Sequence, residues 1–177
     1  MKKRYIWISV AIIAAAVLLL YSYSQDKDLK GQIKIDAGGV AAKLQLAGGL
    51  FNKATISSGA EPTTVSARVH RPTQLGLSMK QGGDTWQIDS SGPWGKLSKI
   101  SVNDNDTTAL KLGPPFLIKP EVHKSGSNVS IDFAIIGQAS EQYQNVPRKN
   151  NRSVPVPKIK IVDETGNVLA SGKFEYG

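Results

Sequence analysis

Apolar and polar residues alternate with a period of two along most of this chain, the spacing of strands with one buried and one wet face. Leu75, Leu77 and Met79 fall on one side of such a segment, with Gln74, Ser78 and Lys80 on the other. Val129, Ile131, Phe133 and Ile135 line a second, opposite Ser130 and Asp132. Val168, Ala170, Phe174 and Tyr176 oppose Ser171, Lys173 and Glu175 in a third. Shorter pieces recur at Ile33/Ile35, Leu44/Leu46, Val65/Ala67/Val69, Trp86/Ile88, Ile100/Val102, Leu110/Leu112 and Ile159/Ile161. No stretch after Tyr23 keeps a helical period.

Turn chemistry punctuates the pattern. Gln81-Gly82-Gly83-Asp84, Asn103-Asp104-Asn105-Asp106, Lys124-Ser125-Gly126-Ser127 and Glu164-Thr165-Gly166-Asn167 each separate two expected strands and read as hairpin loops. Half-buried strands of this kind belong to antiparallel sheets. The expected fold is therefore all-β, an immunoglobulin-like antiparallel sandwich of about ten short strands. Gly113-Pro114-Pro115 interrupts it, because two prolines cannot continue a central strand. The body divides there into a β-rich module, 26–113, and a hairpin-rich module, 114–177, that completes the sandwich or packs on it. Residues 137–157, with Pro147, Pro155 and Pro157, form the longest segment without alternation and are expected as an exposed loop.

Residues 1–25 stand apart. Lys2, Lys3 and Arg4 precede 19 residues, 5–23, that carry no charge. A basic start before an apolar run marks a secretory signal or a signal-anchor, and this run approaches the ~20 residues that a bilayer-spanning helix needs. Ser22 and Ser24 are spaced as at a cleavage site. Two outcomes are open: a single-pass inner-membrane protein with its body outside the cytoplasm, or a secreted one cleaved near Ser24. No cysteine follows the run, which excludes a lipid-anchored lipoprotein start, and none occurs elsewhere, which excludes disulfides, thiol nucleophiles and cysteine metal sites. Without Lys2, Lys3 and Arg4 the net charge drops from +8 to +5, well short of a dedicated nucleic-acid protein.

Candidate chemistry is sparse. His70 and His123 are the only histidines, and no Gly-x-Ser-x-Gly elbow, His-Glu-x-x-His pair, phosphate loop or dinucleotide fingerprint accompanies them. The reading is non-enzymatic, with no catalytic residue and no cofactor. Asn103-Asp104-Asn105-Asp106 offers oxygen ligands, but a calcium loop counted from Asp104 would need Gly and Glu where Ala109 and Pro115 stand. It reads as an Asx-rich turn, and no metal site is assigned. Arg148, Lys149, Arg152, Lys158 and Lys160 lie close together with no acid among them, so a loop there could grip an anionic polymer, with Tyr143 as a stacking face. Trp94, flanked by Gly92-Pro93 and Gly95, is either a presented ring for a sugar or a lid packed on the end of the sandwich. Candidate ligand contacts are thus Trp94, Tyr143, Arg148, Lys149 and Arg152.

Three stretches together resemble a family of uncharacterised, exported bacterial proteins with β-rich bodies. They are Gly83-Asp84-Thr85-Trp86 through Trp94-Gly95-Lys96-Leu97, then Leu112-Gly113-Pro114-Pro115-Phe116, then Pro157-Lys158-Ile159-Lys160-Ile161-Val162-Asp163-Glu164 through Ala170-Ser171-Gly172-Lys173-Phe174-Glu175-Tyr176-Gly177. The resemblance covers residues 83–177. It implies export and a β fold and supplies no activity. Two roles fit such a body: a structural or protein-binding module of the cell envelope, or a binding module for anionic or glycan ligands through the basic loop.

Overall fold

The structure, a computed structural model, describes residues 29–47, 53–144 and 146–174. The expected N-terminal helix lies outside the described residues, and among those described no helix is long and apolar enough to cross a membrane. The described chain is all-β. Its strands are β1 (Lys30–Asp36), β2 (Ala41–Leu46), β3 (Ala54–Ser57), β4 (Thr63–Ser66), β5 (Val69–His70), β6 (Pro72–Gln81), β7 (Asp84–Ser90), β8 (Ile100–Ser101) and β9 (Thr107–Lys111). They continue as β10 (Leu117–Ser125), β11 (Asn128–Ile136), β12 (Gln142–Tyr143), β13 (Arg148–Lys149), β14 (Arg152–Ser153), β15 (Lys158–Val162) and β16 (Val168–Lys173).

A six-stranded sheet in the order β14-β13-β7-β6-β2-β3 faces a three-stranded sheet in the order β4-β1-β9. One hydrophobic cluster joins them. Ile33 and Ile35 of β1 enter it from the small sheet; Leu44, Leu46, Ile56, Leu75 and Leu77 enter it from the large one. Alternation explains the choice: Ile33 and Ile35 are buried, while Lys34 and Asp36 between and beside them are exposed. Each such side chain contributes about 1.5–3 kcal/mol by leaving water, so this cluster dominates the stability of the body. Residues on both sides of Gly113 share it, since Ile135, Ala139 and Tyr143 pack with the earlier strands.

Two details differ from the expected antiparallel pattern. β1 pairs with β9 in parallel, from Gln32↔Thr107 to Asp36↔Lys111. A parallel pair needs a long crossover, and the intervening chain supplies it by building β2–β8. The Asn103–Asp106 turn is also not a hairpin, because β8 pairs with β5 and β9 with β1. Its Asx chemistry serves a different connection: Asp104 Oδ1 accepts from the Lys30 amide at 3.1 Å, which fixes the start of β1.

Two hairpins extend from this body. β10 and β11 pair over nine residues, from Leu117↔Ile136 to Ser125↔Asn128. β15 and β16 form a separate two-stranded sheet. A two-residue turn makes Ser125↔Asn128 a hydrogen-bonded pair, and the alternation then places Pro120 at a non-hydrogen-bonded position opposite Phe133. The backbone nitrogen of Pro120 therefore faces the open edge of β10, where it lacks a proton to donate.

Candidate functional site: an apolar strip along the β10–β11 hairpin

The core face of the large sheet does not end at the core. β6 outruns β2, whose last registered pair is Ala41↔Ser78. Along the shared face, exposure climbs from Leu75 at 0% through Leu77 at 4% to Met79 at 43%. Trp86, directly opposite Met79 on β7, shares this overhang. The β10–β11 hairpin lies across the gap, and Met79, Trp86, Ile88, Phe116, Ile118 and Ile135 line a groove of about 430 Å³ between them.

The register carries the same face outward. Ile118 stands opposite Ile135, Pro120 opposite Phe133 and Val122 opposite Ile131, with Val129 nearest the turn. Ile135 is 8% exposed and Val129 56%, so the face emerges from the core as it runs to the tip. Both acids of the hairpin, Glu121 and Asp132, are paired in register on the opposite face, beside Lys119 and His123. Phe133 meets Phe174 edge to face, with centroids 4.8 Å apart, and that contact joins the strip to the end of the C-terminal hairpin. At the turn end of that hairpin Ile161 on the Phe174 face, and Val162 and Val168 on the opposite face, are again exposed. A soluble surface rarely holds large apolar side chains in one contiguous run without a partner for them.

The basic loop is rebuilt as structure. Residues 137–157, expected as an exposed loop, contain β12, β13 and β14 and bury Gly137, Ala139, Glu141 and Tyr143. β13 adds to the large sheet through Arg148↔Gln87 and Lys149↔Trp86. Arg148 forms an ion pair with Asp89, and Lys149 lies 2.7 Å from the Asp84 carboxylate and 5.5 Å over the Trp86 ring. Lys149 and then Asn150 hold the Asp84 carboxyl below its ordinary range by hydrogen bonding to its charged form. Asn150, with φ 51°, closes the connection by donating to Asp84 and accepting from the Thr85 amide. Arg152 stays exposed on β14, and Lys158 and Lys160 belong to the separate C-terminal hairpin. The structure thus splits the five cations and sets two of them against acids.

The aromatic candidates are corrected in part. Tyr143 is 2% exposed and presents no stacking face; its ring packs against Phe116 with centroids 5.2 Å apart. Trp94 packs against the core cluster, which is the lid arrangement. Among the described residues no group of three His, Cys, Asp or Glu side chains could hold a metal ion.

Glu141 is the residue that sequence reasoning missed. It is fully buried, and its carboxylate accepts from the Gly113 amide at 2.6 Å, the Ala139 amide at 2.8 Å and the Tyr143 hydroxyl at 2.7 Å. Burial, and after it the Glu141 carboxylate, push the Tyr143 phenol far above its ordinary value. A Cβ at Gly137 would overlap the carboxylate, so this glycine is required by close approach. The arrangement stitches the Gly113-Pro114-Pro115 passage to the β11–β12 turn, and thereby fixes where β10 leaves the core. Charge-assisted bonds to fixed donors suit a structural clamp. No protein-family model, curated protein or solved structure matches this chain.

Proposed function

We propose that this protein is a non-enzymatic, extracytoplasmic docking module of the cell envelope, structural or protein-binding, and that its partner seats on the apolar strip. One observation carries the reading: the exposed large apolar side chains concentrate on two neighbouring hairpins, together with the groove at the base of one. The basic, then uncharged N-terminal segment supports either a single-pass inner-membrane anchor or a cleaved export signal. Two facing sheets with one core between them support a sandwich of immunoglobulin-like type. The other reading, an anionic polymer or glycan held by the basic loop, has Arg152 still exposed but loses Arg148 and Lys149 to Asp89 and Asp84.

Salt and substitution separate the two. Full-length protein should capture its envelope partner equally at low and high ionic strength, because apolar docking is not screened. Ile118→Asp with Val122→Asp, both at exposed positions, should abolish capture while leaving the thermal transition in place. Capture that survives this change but falls with salt or with Arg152→Ala would overturn the docking reading.

A further inference from the structure

We infer that the partner on the apolar strip is a second copy of this chain, with the β10–β11 hairpin of each copy lying on the C-terminal β15–β16 hairpin of the other. The inference rests on the docking reading above and names its occupant. Both hairpins offer what the contact needs: an apolar face that opens toward the tip, with Val129 56% exposed on β11 and Ile161, on the Phe174 face of β15, 39% exposed. Within one copy the two faces meet through Phe133, midway along β11 opposite Pro120, and Phe174, at the end of the C-terminal hairpin away from its turn. The tip residues are left uncovered.

Charge distinguishes the two tips. Lys124 follows Val122 on the apolar face of β10, whereas the β15–β16 turn carries Asp163 and Glu164. Asp163 is consumed by its own turn, where it accepts from Thr165 and Asn167, so Glu164 is the acid that can reach outward. Neither Lys124 nor Glu164 has an ion pair among the described residues. A two-fold arrangement makes each hairpin contact twice and matches Lys124 with Glu164 both times. Such pairs add register and selectivity more than strength, and the apolar faces provide the strength. Packing must be face to face, since Pro120 interrupts the donors along the open edge of β10.

The chain contains no cysteine, so introduced cysteines report without background. Two differently tagged full-length proteins, one carrying Val129→Cys and the other Ile161→Cys, are co-expressed and oxidised. The mixed cross-link should exceed either like-with-like product at least fivefold. Lys124→Glu in the first protein should reduce the mixed product severalfold, and Glu164→Lys added to the second should restore it. No cross-link, equal yields in all combinations, or a charge swap without rescue overturns the inference. If cross-linking fails while the Ile118→Asp, Val122→Asp pair still abolishes envelope capture, the docking surface stands and its partner is a different protein.

Discussion

Glu141 shows how much of the molecule one side chain holds. Its carboxylate collects two amides and a phenol that have no water to turn to. Glu141→Ala should destabilise the body by about 3 kcal/mol or more in urea unfolding, because each stranded buried donor costs about 1–3 kcal/mol. Glu141→Gln keeps an acceptor and should cost less. Tyr143 gives a pH test with a definite sign. Its folded value lies above the ordinary 10.0, so the folded state keeps the proton that the unfolded chain releases. Stability should be flat below about pH 10 and then fall by about 1.4 kcal/mol per pH unit. Urea midpoints at pH 8 and pH 11 should therefore differ less in Tyr143→Phe than in the parent. Asp163 titrates in the opposite sense. Hydrogen bonds from Thr165 and Asn167 lower it from 3.8 to about 2, so its support of the turn is intact above pH 4 and fades between 4 and 2. An NMR titration of the Thr165 amide should show a midpoint near 2, and a midpoint near 4 would disprove the bonding described.

Among the elements, β1, β2, β6, β7, β11 and β15 are legible in the sequence because each alternates over several residues. β13 and β14 are not, since two-residue strands carry no period. The pairing of β13 with β7 depends on Arg148, Lys149 and Asn150 meeting acids more than fifty residues away, and no local pattern announces that. The apolar strip was half legible. Alternation marks Val129 to Ile135 as one face, but it cannot tell whether anything covers that face. These contacts rank the cations by their effect on stability. Arg148→Ala and Lys149→Ala should each cost about 0.2–1 kcal/mol, the range of partly exposed pairs, whereas Arg152→Ala should be neutral. Denaturant melts of the three single variants would check the ranking, and an equal loss at all three would contradict it.

At the scale of the whole molecule, stability is unevenly distributed. The core cluster spans β1 through β12, and no residue of β15 or β16 belongs to it. Truncation after Val156 should shift the thermal midpoint by only a few degrees, and amide exchange in the intact protein should be fastest in β15 and β16. A midpoint that collapses on truncation would mean that the hairpin supports the core.

Pro120 bears on how such a surface avoids harm. A long, apolar two-stranded hairpin is the kind of segment that recruits further strands and grows into fibrils, with each added backbone templating the next. Here the nitrogen that should extend the ladder outward has no proton, and it sits near the middle of the nine-residue edge. Side chains can be shared across this surface while the backbone refuses to propagate. Pro120→Val should leave the hairpin's own ladder intact, since that position makes no bond to β11, yet give the protein a slow, concentration-dependent conversion to thioflavin-positive aggregates. In that light the proline acts as a terminator, keeping a sticky surface to one partner at a time.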